Sequence, residues 1–142
     1  MVGVGNGSDQ IIDLILGNFA SKTTKILTSD PTFGFFEERC KLYSIPTIKI
    51  PFDDSMKLDI EKFLVNSKKA DILYLDTPNN PTGFQFSKKD LEKIIREFDG
   101  LVIIDEAYAE FSDYTIMQLT KDIDNLIVLR TLSKSFGLAG LR

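Results

Sequence analysis

Leu126-Ile127-Val128-Leu129-Arg130-Thr131-Leu132-Ser133-Lys134-Ser135-Phe136-Gly137-Leu138-Ala139-Gly140-Leu141-Arg142 is the stretch on which the reading of the chain turns. Four apolar residues, Leu126 to Leu129, read as a buried strand. Hydroxyls, one lysine, a glycine-spaced turn and an arginine follow at once. A lysine just past a buried strand is expected beside apolar walls. There the ammonium form is disfavoured and a neutral, nucleophilic amine becomes accessible, one that can form a Schiff base with an aldehyde. The hydroxyls of Thr131 and Ser133 and the planar fork of Arg142 suit a phosphate bound nearby. Taken alone, the same residues are equally a loop with two surface cations.

The junction of apolar strand and polar loop recurs upstream. Leu101 to Ile104 is an apolar run that ends in Asp105, followed by Glu106-Ala107-Tyr108. A strand-end acid of this kind can hold Mg²⁺ in a nucleotide hydrolase. That chemistry needs G-x-x-x-x-G-K-[ST] upstream, and the chain contains no such run. Ile72 to Leu75 is a further strand, followed by Asp76-Thr77-Pro78-Asn79-Asn80-Pro81-Thr82-Gly83. Two prolines stiffen this loop and Gly83 releases it, which suits the aiming of one amide side chain. Lys25 to Thr28 reads as a strand, Asp30 to Gly34 as a break carrying Phe33, and about 35 to 43 as a helix. Near the start, Gly5-Asn6-Gly7-Ser8-Asp9 is a glycine-rich turn. Ser8 is expected to cap a helix to about Phe19, with Ile11, Ile12, Ile15, Leu16 and Phe19 as its apolar stripe. The free N–H groups of such a helix start can hold an anion, although a plain capped turn accounts for the same residues.

Ser133 to Arg142 resembles the cofactor-lysine segment of fold-type-I aminotransferases that use pyridoxal 5′-phosphate (PLP), and most of all the histidinol-phosphate aminotransferase family. The resemblance runs from Gly5 to Arg142. It implies that Lys134 is the catalytic residue that bonds the cofactor and moves the substrate proton. It also implies that Gly7, Ser8, Asp9, Thr131, Ser133 and Arg142 surround the phosphate, and that Phe33 stacks on the ring where relatives often place Tyr. Asn80, within Pro78-Asn79-Asn80-Pro81-Thr82-Gly83, is implied to donate to the phenolic oxygen together with Tyr108. Asp105 is implied to keep the ring nitrogen protonated, since opposite charges in a dry site favour each other. Glu106 reads as structural.

Ile45 to Ile50 completes the strands, and Asp59 and Ser87 read as caps of two further helices. One of these carries Ile60, Phe63 and Leu64; the other carries Leu91, Ile94, Ile95 and Phe98 and is expected to end at Gly100. No reading attaches to residues 111–120. Strands alternating with helices argue an α/β fold, a mostly parallel sheet with helices on both faces and ligand groups at the strands' carboxyl ends. The five junctions at Gly7, Phe33, Asn80, Asp105 and Lys134 all obey that rule.

With 142 residues the chain is long enough for one domain with a core. A net charge of −4 without a basic run argues against nucleic acid. Cys40 stands alone, so no internal disulfide can form, which points to the cytoplasm. No histidine accompanies it, which argues against zinc. No apolar run is long enough to cross a membrane. Relatives of the resembled family add an N-terminal arm and a C-terminal small domain. On that ground residues 1–142 are expected to be a partial PLP-binding large domain, with weak cofactor binding and little turnover alone, and with Val2-Gly3-Val4 a strand left without its usual neighbour. For the complete enzyme the resemblance implies a homodimer that exchanges an amine against an oxo acid: histidinol phosphate against 2-oxoglutarate, in histidine biosynthesis. A threonine-phosphate decarboxylase, an aromatic aminotransferase, or a catalytically silent scaffold or binding module are the alternatives.

Overall fold

The computed structural model describes residues 1–141. Its elements alternate: α1 Gly7–Phe19, β1 Ile26–Asp30, α2 Gly34–Leu42, β2 Thr47–Pro51, α3 Ile60–Ser67, β3 Ile72–Asp76, α4 Lys88–Glu97, β4 Leu101–Asp105 and β5 Leu126–Leu129. Short 3₁₀ turns fill the β4–β5 connection, at Ala109–Phe111 and Met117–Lys121, and a third lies at Ala139–Leu141. The strands form one parallel sheet in the order β2-β1-β3-β4-β5.

Successive strand residues point to opposite faces, and here both faces are covered, which is why the strands read as unbroken apolar runs. Leu27, Leu73, Leu75, Val102, Ile104 and Leu126 face α3 and α4, packing with Phe63, Leu91, Ile94 and Ile95. Ile26, Ile72, Tyr74, Ile103 and Leu129 face α1 and α2, packing with Ile12, Ile15, Leu16, Phe36 and Cys40. The chain moves from β1 outward to β2, then returns to place β3 on the other side of β1. That reversal opens a crevice at the carboxyl ends of β1 and β3.

Local chemistry starts two of the helices as expected. The Asp59 side chain accepts from the Lys62 N–H at 2.9 Å. Ser87 accepts from the Asp90 N–H at 3.1 Å and donates to the Asp90 carboxylate at 2.6 Å. Each such cap is worth about 1 kcal/mol.

Four local expectations are corrected. Ser8 is not the cap of α1: the helix begins at Gly7, Asn6 holds the cap position, and the Gln10 side chain reaches back to the Asn6 N–H at 2.6 Å. Gly7, at φ +73°, turns the chain into the helix a residue sooner. Phe19 lies outside the buried stripe, 62% exposed. Val2-Gly3-Val4 is not a strand; both valines are exposed and no described residue offers them a ladder. The sheet's edges are instead β2 and β5. Gly100 does not end α4, because Phe98 has already turned to extended backbone. What Gly100 permits is a close approach: a Cβ there would lie 2.1 Å from the Asp71 carbonyl oxygen.

Candidate active site

The carboxyl ends of β1, β3, β4 and β5 surround a cleft of about 510 Å³, open to solvent. Ser8 and Asp9 reach it from the first turn of α1 and Phe33 from the turn after β1. Asp76, Pro78 and Asn80 come from the end of β3 and its loop, Asp105, Ala107 and Tyr108 from β4, and Thr131, Ser133 and Lys134 from beyond β5. Residues from five separate segments, most of them singled out individually in the sequence, thus share one cleft. Gly7 sits behind this lining, at the turn into α1. Arg142 lies outside the described residues.

Asp105 forms the floor. It is 3% exposed. One oxygen accepts from the Tyr74 hydroxyl and the other from the Ala107 N–H, both at 3.0 Å. Burial pushes its carboxyl up to about 6; the Tyr74 and Ala107 hydrogen bonds oppose this, and the negative charges of Asp76 and Asp9 add to it. A cation placed against this oxygen pair would find a partner that lacks one. Tyr74 is fully buried and stacked on Phe36, with ring centroids 3.7 Å apart and planes within 7°. Burial and the neighbouring Asp105 charge hold its hydroxyl well above the usual range, so it stays a donor.

The walls are more polar. The Asn80 amide side chain makes no hydrogen bond among the described residues and is available to the cleft, whereas Asn79 is committed to Asp76, Pro31 and Thr82. Tyr108 is half-buried. The Ser133 N–H is held by the Thr131 hydroxyl at 3.1 Å, which turns the chain just before Lys134. Lys134 itself is exposed, its Nζ 5.3 Å from the centre of the Tyr108 ring. The expectation of apolar walls around this lysine is therefore corrected: it stands at the rim, within a segment, residues 134–141, that is exposed throughout.

Glu106 is structural in this arrangement. Only 2% exposed, it accepts from the Ile116 N–H at 2.8 Å and the Thr115 hydroxyl at 2.5 Å, and pairs with Arg130 at 3.3 Å. Arg130 also pairs with Glu110. This ties the connection after β4, including residues 111–116 for which the sequence offered no reading, to the end of β5. Two contributors to the site escaped the sequence reading. Tyr74 looked like one more apolar strand residue. Asp76 looked like the start of a loop, although it ends β3 in register with Asp105 at the end of β4, a pairing only the sheet reveals.

A parallel α/β sheet that gathers a buried acid, a free amide, hydroxyls and an amine at its strand ends defines a small-molecule site of the cofactor-binding kind. The chain belongs to the class I and II aminotransferase family, whose model matches residues 1–142. It is 40% identical over 141 residues to the histidinol-phosphate aminotransferase of Thermoanaerobacter pseudethanolicus, covering 98% of this chain and 40% of that one. It is 38% identical to the corresponding enzyme of Pyrococcus furiosus, covering 99% and 41%. The crystal structure of the histidinol-phosphate aminotransferase from Clostridium acetobutylicum superimposes with a TM-score of 0.87 at 27% identity, covering 97% of this chain and 42% of that one. The Sinorhizobium meliloti enzyme, solved in complex with pyridoxal-5′-phosphate, gives 0.86 at 26%, covering 97% and 39%. The chain spans about 40% of the length of the curated relatives it matches.

Proposed function

We propose that this chain holds pyridoxal 5′-phosphate, and that the complete enzyme passes the amino group of histidinol phosphate to 2-oxoglutarate, in histidine biosynthesis. The observation that carries the reading is the pairing, across one cleft, of a deeply buried Asp105 at the floor with Lys134 at the rim. The residues fit the cofactor. A carboxylate raised by burial and lacking a cation suits a protonated ring nitrogen. The hydroxyls of Ser8, Thr131 and Ser133 line the same cleft as the first turn of α1, a thirteen-residue helix, and suit a phosphate. When bound, the cofactor supplies an electron-withdrawing ring that stabilises negative charge at the substrate's α-carbon.

The chain's own residues then have distinct tasks. Asp105 holds the ring N–H and keeps it protonated. Asn80 and Tyr108 donate to the phenolic oxygen. Phe33 covers a ring face. Ser8, Thr131, Ser133 and Arg142, with the N–H groups of Gly7, Ser8 and Asp9, hold the phosphate. With the cofactor bound, the Lys134 amine would be the group that holds it at its aldehyde carbon, with release of water, and would move the proton at the substrate's α-carbon. We also read the complete enzyme as a cytoplasmic homodimer with an amine and an oxo acid as its small-molecule substrates, and without nucleic-acid or membrane partners. The net charge of −4 without a basic run speaks against a nucleic-acid partner, and no helix among the described residues is long and apolar enough to cross a membrane.

The test is optical. After incubation with pyridoxal phosphate and desalting, the chain is expected to retain a visible absorbance band that Lys134→Ala abolishes. A wild-type chain without a band defeats the cofactor reading and leaves a silent scaffold. Turnover of the complete enzyme with histidinol phosphate and 2-oxoglutarate, compared with threonine phosphate and aromatic amino acids, decides the substrate.

A further inference from the structure

We propose that Asp76 is a positioning residue whose buried carboxylate knots the turn after β1 to the loop after β3, and so sets where Phe33 and Asn80 stand above Asp105. This rests on the cofactor reading above for its consequence in the site, though not for the knot itself.

Asp76 is 4% exposed and ends β3 directly beside Asp105. One oxygen accepts from the Thr32 hydroxyl at 2.9 Å and from the Asn79 side-chain amide at 3.0 Å. The other accepts from the Asn80 N–H at 2.6 Å. Thr32 and Asn79 are themselves 4% and 3% exposed, so these bonds form away from water. Asn79 adds a second tie to the same turn, donating to the Pro31 carbonyl at 3.2 Å. Thr32 immediately precedes Phe33, and the Asn80 N–H belongs to the residue whose amide is open to the cleft. Each of the two groups facing the cleft is thus one residue or less from an atom that Asp76 holds.

The charge is what makes this more than a turn. A buried carboxylate is costly unless its oxygens are satisfied, and charge-assisted bonds are about twice as strong as neutral ones. Three donors from two loops meet it here. A neutral acceptor cannot replace it without conflict. In Asp76→Asn one oxygen can still accept from Thr32 and Asn79, but the other end becomes a donor facing the Asn80 N–H. The substitution therefore breaks the bond to Asn80 while leaving size and shape unchanged.

Two measurements test this. In the cofactor-free chain, amide hydrogen exchange at Asn80 is expected to quicken about tenfold in Asp76→Asn, while amides in β3 and β4 keep their rates. With pyridoxal phosphate, Asp76→Asn and Asn80→Ala are each expected to weaken retention about tenfold and to shift the absorbance maximum in the same direction, and the double variant to lose little more than either. Unchanged exchange at Asn80 overturns the proposal, and so do additive losses in the double variant, which mark Asp76 as general scaffold. A wild-type chain that shows protected Asn80 exchange and no absorbance band defeats the cofactor reading alone. Should Asp76→Asn fail to fold, Thr32→Val removes a single donor; a few-fold quickening at Asn80 is expected, and no change overturns the knot.

Discussion

Asp105 takes a negative charge into a place where two donors meet it and, among the described residues, no cation does. Its carboxyl titrates near 6 in the folded chain against an ordinary 3.8, so between those values the folded chain holds a proton that the unfolded chain has released. The stabilising contribution of this group is fully present below pH 3.8 and is lost as the pH rises through 6. Asp105→Asn removes the titration. We expect the cofactor-free variant to be more stable than wild type by on the order of 3 kcal/mol at about pH 7, with the gain fading toward about pH 4. Urea unfolding at both pH values checks this, and a gain independent of pH refutes it. The same variant is expected to lose its retention of pyridoxal phosphate, because the charge that burdens the fold is the one proposed to meet the ring nitrogen. Asp105 was legible because an acid closing an apolar run is a local pattern. Tyr74, which holds it, was not, since a tyrosine among Ile72, Leu73 and Leu75 looks like core until its hydroxyl is seen 3.0 Å from another strand. Asp76 closes an apolar run as Asp105 does, but what it holds was hidden, since Thr32 is 44 residues away from it in the chain.

Elements were legible where their signals are short-range. Asp59 and Ser87 cap their helices through bonds to residues three positions on. The unbroken apolar runs of the central strands, alternating with helices, announced a sheet covered on both faces. Glycine was harder to read, because a helix stop and a close backbone approach look alike in sequence. Gly100 shows the difference. The first strand residue after it, Leu101, donates its N–H to the Asp71 carbonyl at 3.2 Å, and that same oxygen would lie 2.1 Å from a Cβ on residue 100. The clash is with backbone at the paired starts of β3 and β4, so neither side can yield cheaply. Gly17 is the contrast: it is exposed within α1, with nothing within 4 Å of an added Cβ. Gly100→Ala is expected to destabilise the chain by about 1–3 kcal/mol through forced backbone shifts. Gly17→Ala is expected to stabilise it by about 0.5–1 kcal/mol through helix propensity. Thermal melts of the two variants should move in opposite directions, and a destabilised Gly17→Ala or an unaffected Gly100→Ala contradicts the account.

The molecule as a whole joins a tightly packed sheet to a loosely held rim. The mostly parallel order and the gathering of ligand groups at the strands' carboxyl ends followed from the alternation of elements; the strand order that opens the crevice beside β1 and β3 did not. The exposure of Lys134 did not, because what packs over a loop is decided by parts of the fold remote from it in sequence. As the chain stands, Lys134 meets the rest of the site through the ring of Tyr108, while Asp105 lies at the floor of the cleft, at the carboxyl end of β4. A molecule bonded to both would link the end of β4 to the segment beyond β5, coupling the rim's order to the sheet's stability. Binding to the folded state alone stabilises it in proportion to the logarithm of ligand concentration, about 2.7 kcal/mol at one hundred times the dissociation constant. We therefore expect pyridoxal phosphate to raise the melting temperature of the wild-type chain progressively with concentration, and to slow amide exchange across residues 131–141. Lys134→Ala keeps the Asp105 floor and the hydroxyls but loses the link, so its melting shift should be smaller and its 131–141 amides should stay unprotected. Equal shifts in both proteins would mean that the lysine does not join rim to floor. A shift reproduced by inorganic phosphate alone would mean that the hydroxyls and the α1 N-terminus account for the binding without the ring.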